Sequence, residues 1–360
     1  MRVAYVINSL EAGGAQFPIP RIHAGLAARG VETTVYGLSD RDGLSIPKLQ
    51  AAGVPIVRSG LPKTSHVKAA RWLKAELKRD RPDIIWTSLT QATLIGQRVG
   101  RSLGTPVVSW QHNAFLKNAN RRLLRWQRRM SAFWVADSES VADFTHDTLG
   151  VPKDSILVLP LYVAPANAPQ ATAHAGGRFE WLSVGRLHRN KGYDVLIRAL
   201  GQLESGPFAC DDYRLRIAGD GAERTTLDAL IAQHGLSDRV ELLGHVDNIP
   251  ALLATAHGYL QPSWNEGLGI AAHEAMAAGL PCLVSRTGQM ALTVSPRCVV
   301  PPGDANAWAR TLHHVMGDLA AFSATGARNR ARVHDRFSAE RFDTALDAIV
   351  SRMSSITKPS

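Results

Sequence analysis

Residues 258–285, GYLQPSWNEGLGIAAHEAMAAGLPCLVS, read as a strand, a glycine-rich loop, a helix and a second strand. Gly258–Gln261 is a short apolar run with the character of a buried strand. IAAHEAMAA after Gly269 is rich in strong helix formers, and Gly279 and Pro281 end it. A glycine loop that opens a helix bares backbone N–H groups and aims the positive end of the helix dipole at its guest, for which phosphate is favoured. Glu266 falls at the loop tip and Glu274 in the second helical turn, with Gly267 and Gly269 between them. One carboxylate can then face a sugar while the other holds a ribose.

The same alternation extends on both sides. In the first half, strands fit residues 2–8, 33–38, 83–88, 106–111, 133–137 and 156–159. Helices fit a segment ending near Arg29, then 66–80, 91–103, 118–130 and 138–149. PANAPQATAHAGG, residues 165–177, is small, proline-rich and aperiodic, and reads as a linker. Strands then fit 179–184, 213–218, 240–243, 258–261 and 282–285. Helices fit 192–203, 222–233, 249–254, 269–278, 304–316, 319–334 and 339–353. Strand alternating with helix argues for parallel sheets covered on both faces, so the chain reads as two doubly wound α/β units. The expected layout is 1–165, a linker at 166–177, 178–338, and a terminal helix and tail at 339–360. A length of 360 residues agrees with two domains.

Charge separates the halves. Residues 1–165 hold 22 basic and 12 acidic side chains, a surplus of 10, whereas 166–360 hold 19 of each. That asymmetry suggests an anionic partner for the first half, a membrane surface or nucleic acid, against the plainer reading of a solvated basic surface. No aromatic platform or zinc-finger spacing supports nucleic acid. No apolar run reaches the ~18 residues of a membrane span, and MRVAYVINSL is too short in its apolar part for a signal peptide. Cys210, Cys282 and Cys298 are scattered and odd in number, which points to reduced thiols in a cytoplasm.

Several residues carry candidate chemistry. Arg186 and Lys191 stand in the loop after the strand ending at Val184, where a guanidinium fork and an ammonium suit a diphosphate; two solvated cations are the plain alternative. Gly13-Gly14, after the first strand, let a backbone approach phosphate or simply make a turn; the spacing is not the dinucleotide fingerprint. His112 ends the strand PVVSWQ, where it can meet a sugar hydroxyl or serve as a hydrogen-bonded structural histidine. The loop around Val246 can present backbone groups to a nucleobase or be an ordinary loop. NRRLLRWQRRM, residues 120–130, sets Leu123, Leu124 and Trp126 near one side with five arginines around them. It reads either as a membrane-surface helix or as a helix packed on the core with solvated arginines.

Taken together these motifs resemble family 4 retaining glycosyltransferases of the GT-B fold, the group 1 glycosyltransferases with a Glu-x7-Glu signature. Glu266 and Glu274 carry that spacing. GGA at 13–15, PDIIWTS at 82–88, His112, DSESVADF at 137–144, VGRLHRNKG at 184–192, IAGDG at 217–221 and LGHVDN at 243–248 follow in the family's order. The resemblance implies two Rossmann-like domains facing across a cleft, with a C-terminal helix crossing back to the first.

It also implies a role for each position. Glu274 binds the ribose of a nucleotide diphosphate sugar, and Arg186 and Lys191 hold its diphosphate. The backbone of Gly267, Leu268, Gly269 and Ile270 caps phosphates and sugar. Glu266 binds hexose hydroxyls, His112 meets the sugar from the first domain, Gly14 lets its loop close on the diphosphate, and Val246 touches the base. No metal and no cofactor beyond the donor substrate are expected, with front-face transfer and retention. The implied acceptor is a hydroxyl on a polyprenyl-diphosphate-linked glycan or another lipid, for cell-surface polysaccharide, with the enzyme held peripherally at the inner face of the membrane. A soluble acceptor and an inactive nucleotide-sugar-binding module are the alternatives. The chain departs from the family after GGA, where Gln16 and Phe17 replace a glutamate and a basic residue, and Pro18 and Pro20 delay the first helix to near Pro20.

Overall fold

The computed structural model describes residues 1–11, 14–39, 41–62, 65–205 and 212–357. The chain divides into two compact units. One holds Met1–Tyr162 together with Ala339–Ser360, and the other holds Val163–Ser338.

The first unit runs β1 (Arg2–Ile7), α1 (Ile19–Ala27), β2 (Glu32–Gly37), α2 (Ile46–Ala51), β3 (Ile56–Arg58), α3 (His66–Asp80), β4 (Ile84–Ser88), α4 (Thr90–Leu103), β5 (Val107–Gln111), α5 (Asn118–Gln127), β6 (Phe133–Ala136), α6 (Glu139–Phe144) and β7 (Ile156–Val158). The second runs β8 (Phe179–Val184), α7 (Tyr193–Ser205), β9 (Tyr213–Ala218), α8 (Arg224–Gln233), β10 (Val240–Gly244), α9 (Ile249–Thr255), β11 (Gly258–Gln261), α10 (Ile270–Ala277), β12 (Cys282–Ser285), α11 (Met290–Thr293), β13 (Val299–Val300), α12 (Ala305–Gly317) and α13 (Leu319–Arg336). The last helix, α14 (Ala339–Thr357), belongs to the first unit.

Both sheets are parallel. Their strand orders are β3-β2-β1-β4-β5-β6-β7 and β10-β9-β8-β11-β12-β13. Helices on both faces leave the central strands no wet side, which is why IIWTS, VVSWQ and FWVA are buried along their whole length. Trp86 and Trp110, neighbours on β4 and β5, lie with ring centroids 5.4 Å apart in that core.

The α14 helix buries Phe342, Leu346, Ile349 and Met353. Arg29, in the turn just after α1, pairs with Asp347 (2.6 Å) and Asp343 (3.5 Å) on it, and Arg352 donates to the Asp154 carbonyl (2.7 Å).

Some boundaries differ from the sequence pattern. The segment expected as one helix over 118–130 is α5 followed by a 3₁₀ turn, Arg128–Met130. The one expected over 138–149 passes from α6 into a π turn, Thr145–Leu149, closed by Gly150. Residues 165–177 run against the second unit: the Ala171 N–H donates to Ala278 (2.8 Å) and that of Thr172 to Ala254 (3.1 Å). Four short elements, α2, β3, α11 and β13, carry too few residues for a periodic signal. The α1 helix opens at Ile19, one residue ahead of Pro20, with Pro18 as its cap. Gly13, Asp40 and Cys210 lie outside the described residues. Cys282 and Cys298 are free, and burial pushes both thiols up.

Candidate functional site

Each sheet reverses its strand order once, between β1 and β4 in the first and between β8 and β11 in the second. Loops leaving the carboxyl ends of two such strands diverge, and the gap between them accepts ligands. In the second unit these are the loops 185–192 and 262–269, the two segments that the sequence singles out.

These loops are tied to each other. The Trp264 N–H donates to the Asn190 carbonyl (2.9 Å), and Asn190 Nδ2 donates to the Asn265 carbonyl (2.8 Å). Gly192 lies at their contact with φ +67°, and a Cβ there would overlap the Pro262 carbonyl oxygen, so only glycine fits. Lys191 Nζ donates to Glu266 Oε1 (2.7 Å), with the carboxylate 13% exposed. Ser263 Oγ donates to the same oxygen (2.8 Å). Behind Ser263 runs a relay. The Val184 N–H donates to Tyr259 Oη (3.2 Å), Tyr259 to Gln261 Oε1 (2.8 Å), and Gln261 Nε2 to Ser263 (2.9 Å). Burial raises the Tyr259 phenol well above its usual value, which keeps its proton available for that chain. The Glu266 N–H donates to Thr287 Oγ1 (3.2 Å). Glu266 is therefore a fixed carboxylate beside a cation.

Gly267 and Leu268 are buried. Gly269, at φ +78°, opens α10 at Ile270 with no side-chain cap on its first turn. The uncapped N–H groups and the dipole can serve an anion. His273 holds this corner: Nδ1 lies 3.0 Å from the Gly269 carbonyl and Nε2 3.1 Å from Thr293 Oγ1. Burial lowers its pKa to about 4. Glu274 is half-buried one residue further, and Arg186 is exposed in the loop with Lys191. Val246 is half-buried between His245 and Asp247, which pair at 3.1 Å. Asn248 accepts from the Ala251 N–H (3.1 Å), so its side-chain oxygen serves as the cap of α9.

In the first unit His112 follows β5 and is 6% exposed. Its Nδ1 lies 2.9 Å from the Asp137 carboxylate and its Nε2 2.7 Å from Ser88 Oγ, while its ring rests on Trp110 at 4.8 Å. Burial pushes the Asp137 carboxyl up, and His112 opposes that. Gly14 is exposed in the turn after β1. Gln16 is buried and donates from Nε2 to the Ser9 carbonyl (2.8 Å), pinning the base of the loop. Phe17 is exposed beneath the Lys48 ammonium, 4.8 Å from its ring centroid. Sequence reasoning gave no role to Asp137, Ser88, Ser263, Tyr259, Gln261 or His273. The signal was positional: Asp137 and Ser88, like His112, sit at carboxyl ends of parallel strands. Among the described residues no group of three His, Cys, Asp or Glu is placed to hold a metal ion.

Two doubly wound sheets with these loops at the switch point define the class: a glycosyltransferase of the GT-B fold. The model of glycosyl transferases group 1 matches residues 166–329, and that of glycosyltransferase family 4 matches 12–166. The chain belongs to the group 1, family 4 glycosyltransferases. It is 27% identical to 2-deoxystreptamine N-acetyl-D-glucosaminyltransferase of Streptomyces fradiae, over 93% of this chain and 90% of that one. It is 31% identical to 2-deoxystreptamine glucosyltransferase of Streptomyces kanamyceticus, over 59% and 58%, so that alignment spans little more than half of either protein. In structure it resembles Anabaena HepE in complex with UDP-glucose, with a TM-score of 0.83 at 19% identity over 98% of this chain and 99% of that one.

Proposed function

We propose that the protein transfers a hexose, with retention, from a nucleoside diphosphate sugar to a hydroxyl acceptor without a divalent metal. The observation that carries the reading is Glu266, held between Lys191 and Ser263 beside the uncapped start of α10. In this reading Glu266 takes the hexose hydroxyls, the backbone of Gly267–Ile270 caps phosphate and sugar, and Glu274 holds the ribose. Val246 touches the base. Lys191 and Arg186 neutralise the diphosphate as it leaves, the work that a metal does elsewhere. A diphosphate oxygen helps deprotonate the incoming hydroxyl on the same face of the sugar. His112, polarised by Asp137, exchanges its Ser88 hydrogen bond for a sugar hydroxyl, and Gly14 lets its loop approach the diphosphate.

The acceptor is a hydroxyl on a lipid-linked glycan or lipid at the cytoplasmic face of the membrane, supported by the surplus of positive charge in the first half. A second reading, a soluble acceptor, is favoured by the relatives named for 2-deoxystreptamine. Thermal shift against UDP- and GDP-sugars tests the donor, because a ligand of the folded state alone raises stability. A shift with one base that disappears in Glu274→Ala, and transfer that is lost in Lys191→Ala but survives chelator, are the expected results. Full transfer by Lys191→Ala, or a chelator loss restored by magnesium, would refute the mechanism. Donor binding without turnover on any acceptor would make the chain a binding module.

A further inference from the structure

The outward face of α5 has no use in the reaction above. Only Leu124 and Gln127 of that helix are buried. Residues two apart on a helix lie ~200° apart, so Trp126 cannot share the core side with Leu124; the two expected near one side point oppositely. Trp126 is 69% exposed and Leu123 41%, and Phe115, just ahead of the helix, is 53% exposed. Arg121, Arg122, Arg125 and Arg129 are exposed around them. Arg128 is different: it donates to the Gly150 (3.1 Å) and Arg125 (2.6 Å) carbonyls and so belongs to the fold. Between α5 and the 145–149 turn lies a pocket of about 420 Å³ lined by Arg121, Arg122, Arg125, Asp147 and Thr148. It sets three guanidinium groups and a hydroxyl against one carboxylate.

We infer that this face docks on an anionic bilayer, with a lipid headgroup phosphate in the arginine pocket and Trp126, Leu123 and Phe115 in the interface. The inference deepens the membrane reading of the acceptor and rests on it. Guanidinium groups converging on a pocket suit a phosphate's oxygens. An exposed tryptophan ringed by arginines suits the boundary between headgroup and acyl chain, where the ring is half dry and the charges stay wet. Nucleic acid would use the charge but leaves the three apolar side chains without a role. Among the described residues no helix is long and apolar enough to cross a membrane, so the face would serve as a peripheral contact.

The test is co-sedimentation of the full chain with phosphatidylglycerol vesicles and with phosphatidylcholine vesicles, at low and high salt. The inference expects binding to the first only, released by salt. Each interfacial arginine contributes roughly fivefold to partitioning, so the triple variant R121A/R122A/R125A should bind about a hundredfold more weakly. Brominated phosphatidylglycerol should quench fluorescence in the wild type more than in Trp126→Phe, since Trp86, Trp110, Trp134, Trp181 and Trp308 are buried and Trp264, exposed in the donor loop, contributes equally to both proteins. Both variants should keep the wild-type thermal shift with the nucleotide sugar, which separates this surface from the donor reading and shows that they fold. No binding to phosphatidylglycerol at low salt, undiminished binding by the triple variant, or binding to DNA in place of vesicles would overturn the inference.

Discussion

Acid should loosen the donor corner through one buried imidazole. His273 has no exposed surface, and its pKa falls from 6.5 to about 4 because burial opposes the charged form. The unfolded chain therefore binds a proton between those two values that the folded chain refuses. Stability from this group is complete above 6.5 and is lost as the pH falls toward 4. The whole gap corresponds to roughly 3 kcal/mol, of which about 2 kcal/mol is gone by about pH 5. Urea unfolding of the wild type and of His273→Gln, at neutral pH and near pH 5, isolates the effect. Glutamine offers a donor and an acceptor to Gly269 and Thr293 but does not titrate. The variant should start lower, by ~1–3 kcal/mol for imperfect hydrogen bonding, yet lose about 2 kcal/mol less than the wild type on acidification. Equal losses in the two proteins, or an NMR titration of His273 near 6.5, would refute the reasoning.

Two further outcomes follow from the geometry. Gly192→Ala combines a left-handed backbone with overlap of Pro262 and should cost roughly 2–5 kcal/mol. Gly235→Ala in the same unit has φ +66° but open space around a Cβ, and should cost only about 1–2 kcal/mol in the same melts. Asp137→Asn should lower kcat/KM about ten- to hundredfold, as expected for a lost charge-assisted hydrogen bond worth ~1.5–3 kcal/mol, with little change in Tm. Its pH effect has the opposite sign to that of His273. The folded carboxyl's pKa is raised, so the wild type loses this contribution as pH rises through that raised value, and the variant does not.

The parallel sheets and donor loops were legible because apolar runs, glycines and charged loop residues repeat at local spacing. Contacts set by strand register were not. Gln111 pairs with Ala136 across β5 and β6, which brings the next residues, His112 and Asp137, side by side although 25 positions separate them. The Lys191–Glu266 pair spans 75 positions and depends on β8 lying next to β11. Arg186 and Lys191 read alike in sequence as diphosphate cations, and the contact of Lys191 with the Glu266 carboxylate at 2.7 Å is visible only in the fold. On α5 the clustered Leu123, Leu124 and Trp126 read as one apolar side, but helical geometry sends Leu124 inward and leaves the other two on the surface.

The return of α14 to the first unit has a practical consequence. The second unit is one uninterrupted stretch of sequence and can be excised by two cuts. The first is made from two separate stretches of sequence, so a fragment stopping at Tyr162 would bare the groove that takes Phe342, Leu346, Ile349 and Met353. Isolating it intact calls for joining Ala339–Thr357 directly to Tyr162, with 163–338 deleted, or for moving that helix ahead of Met1.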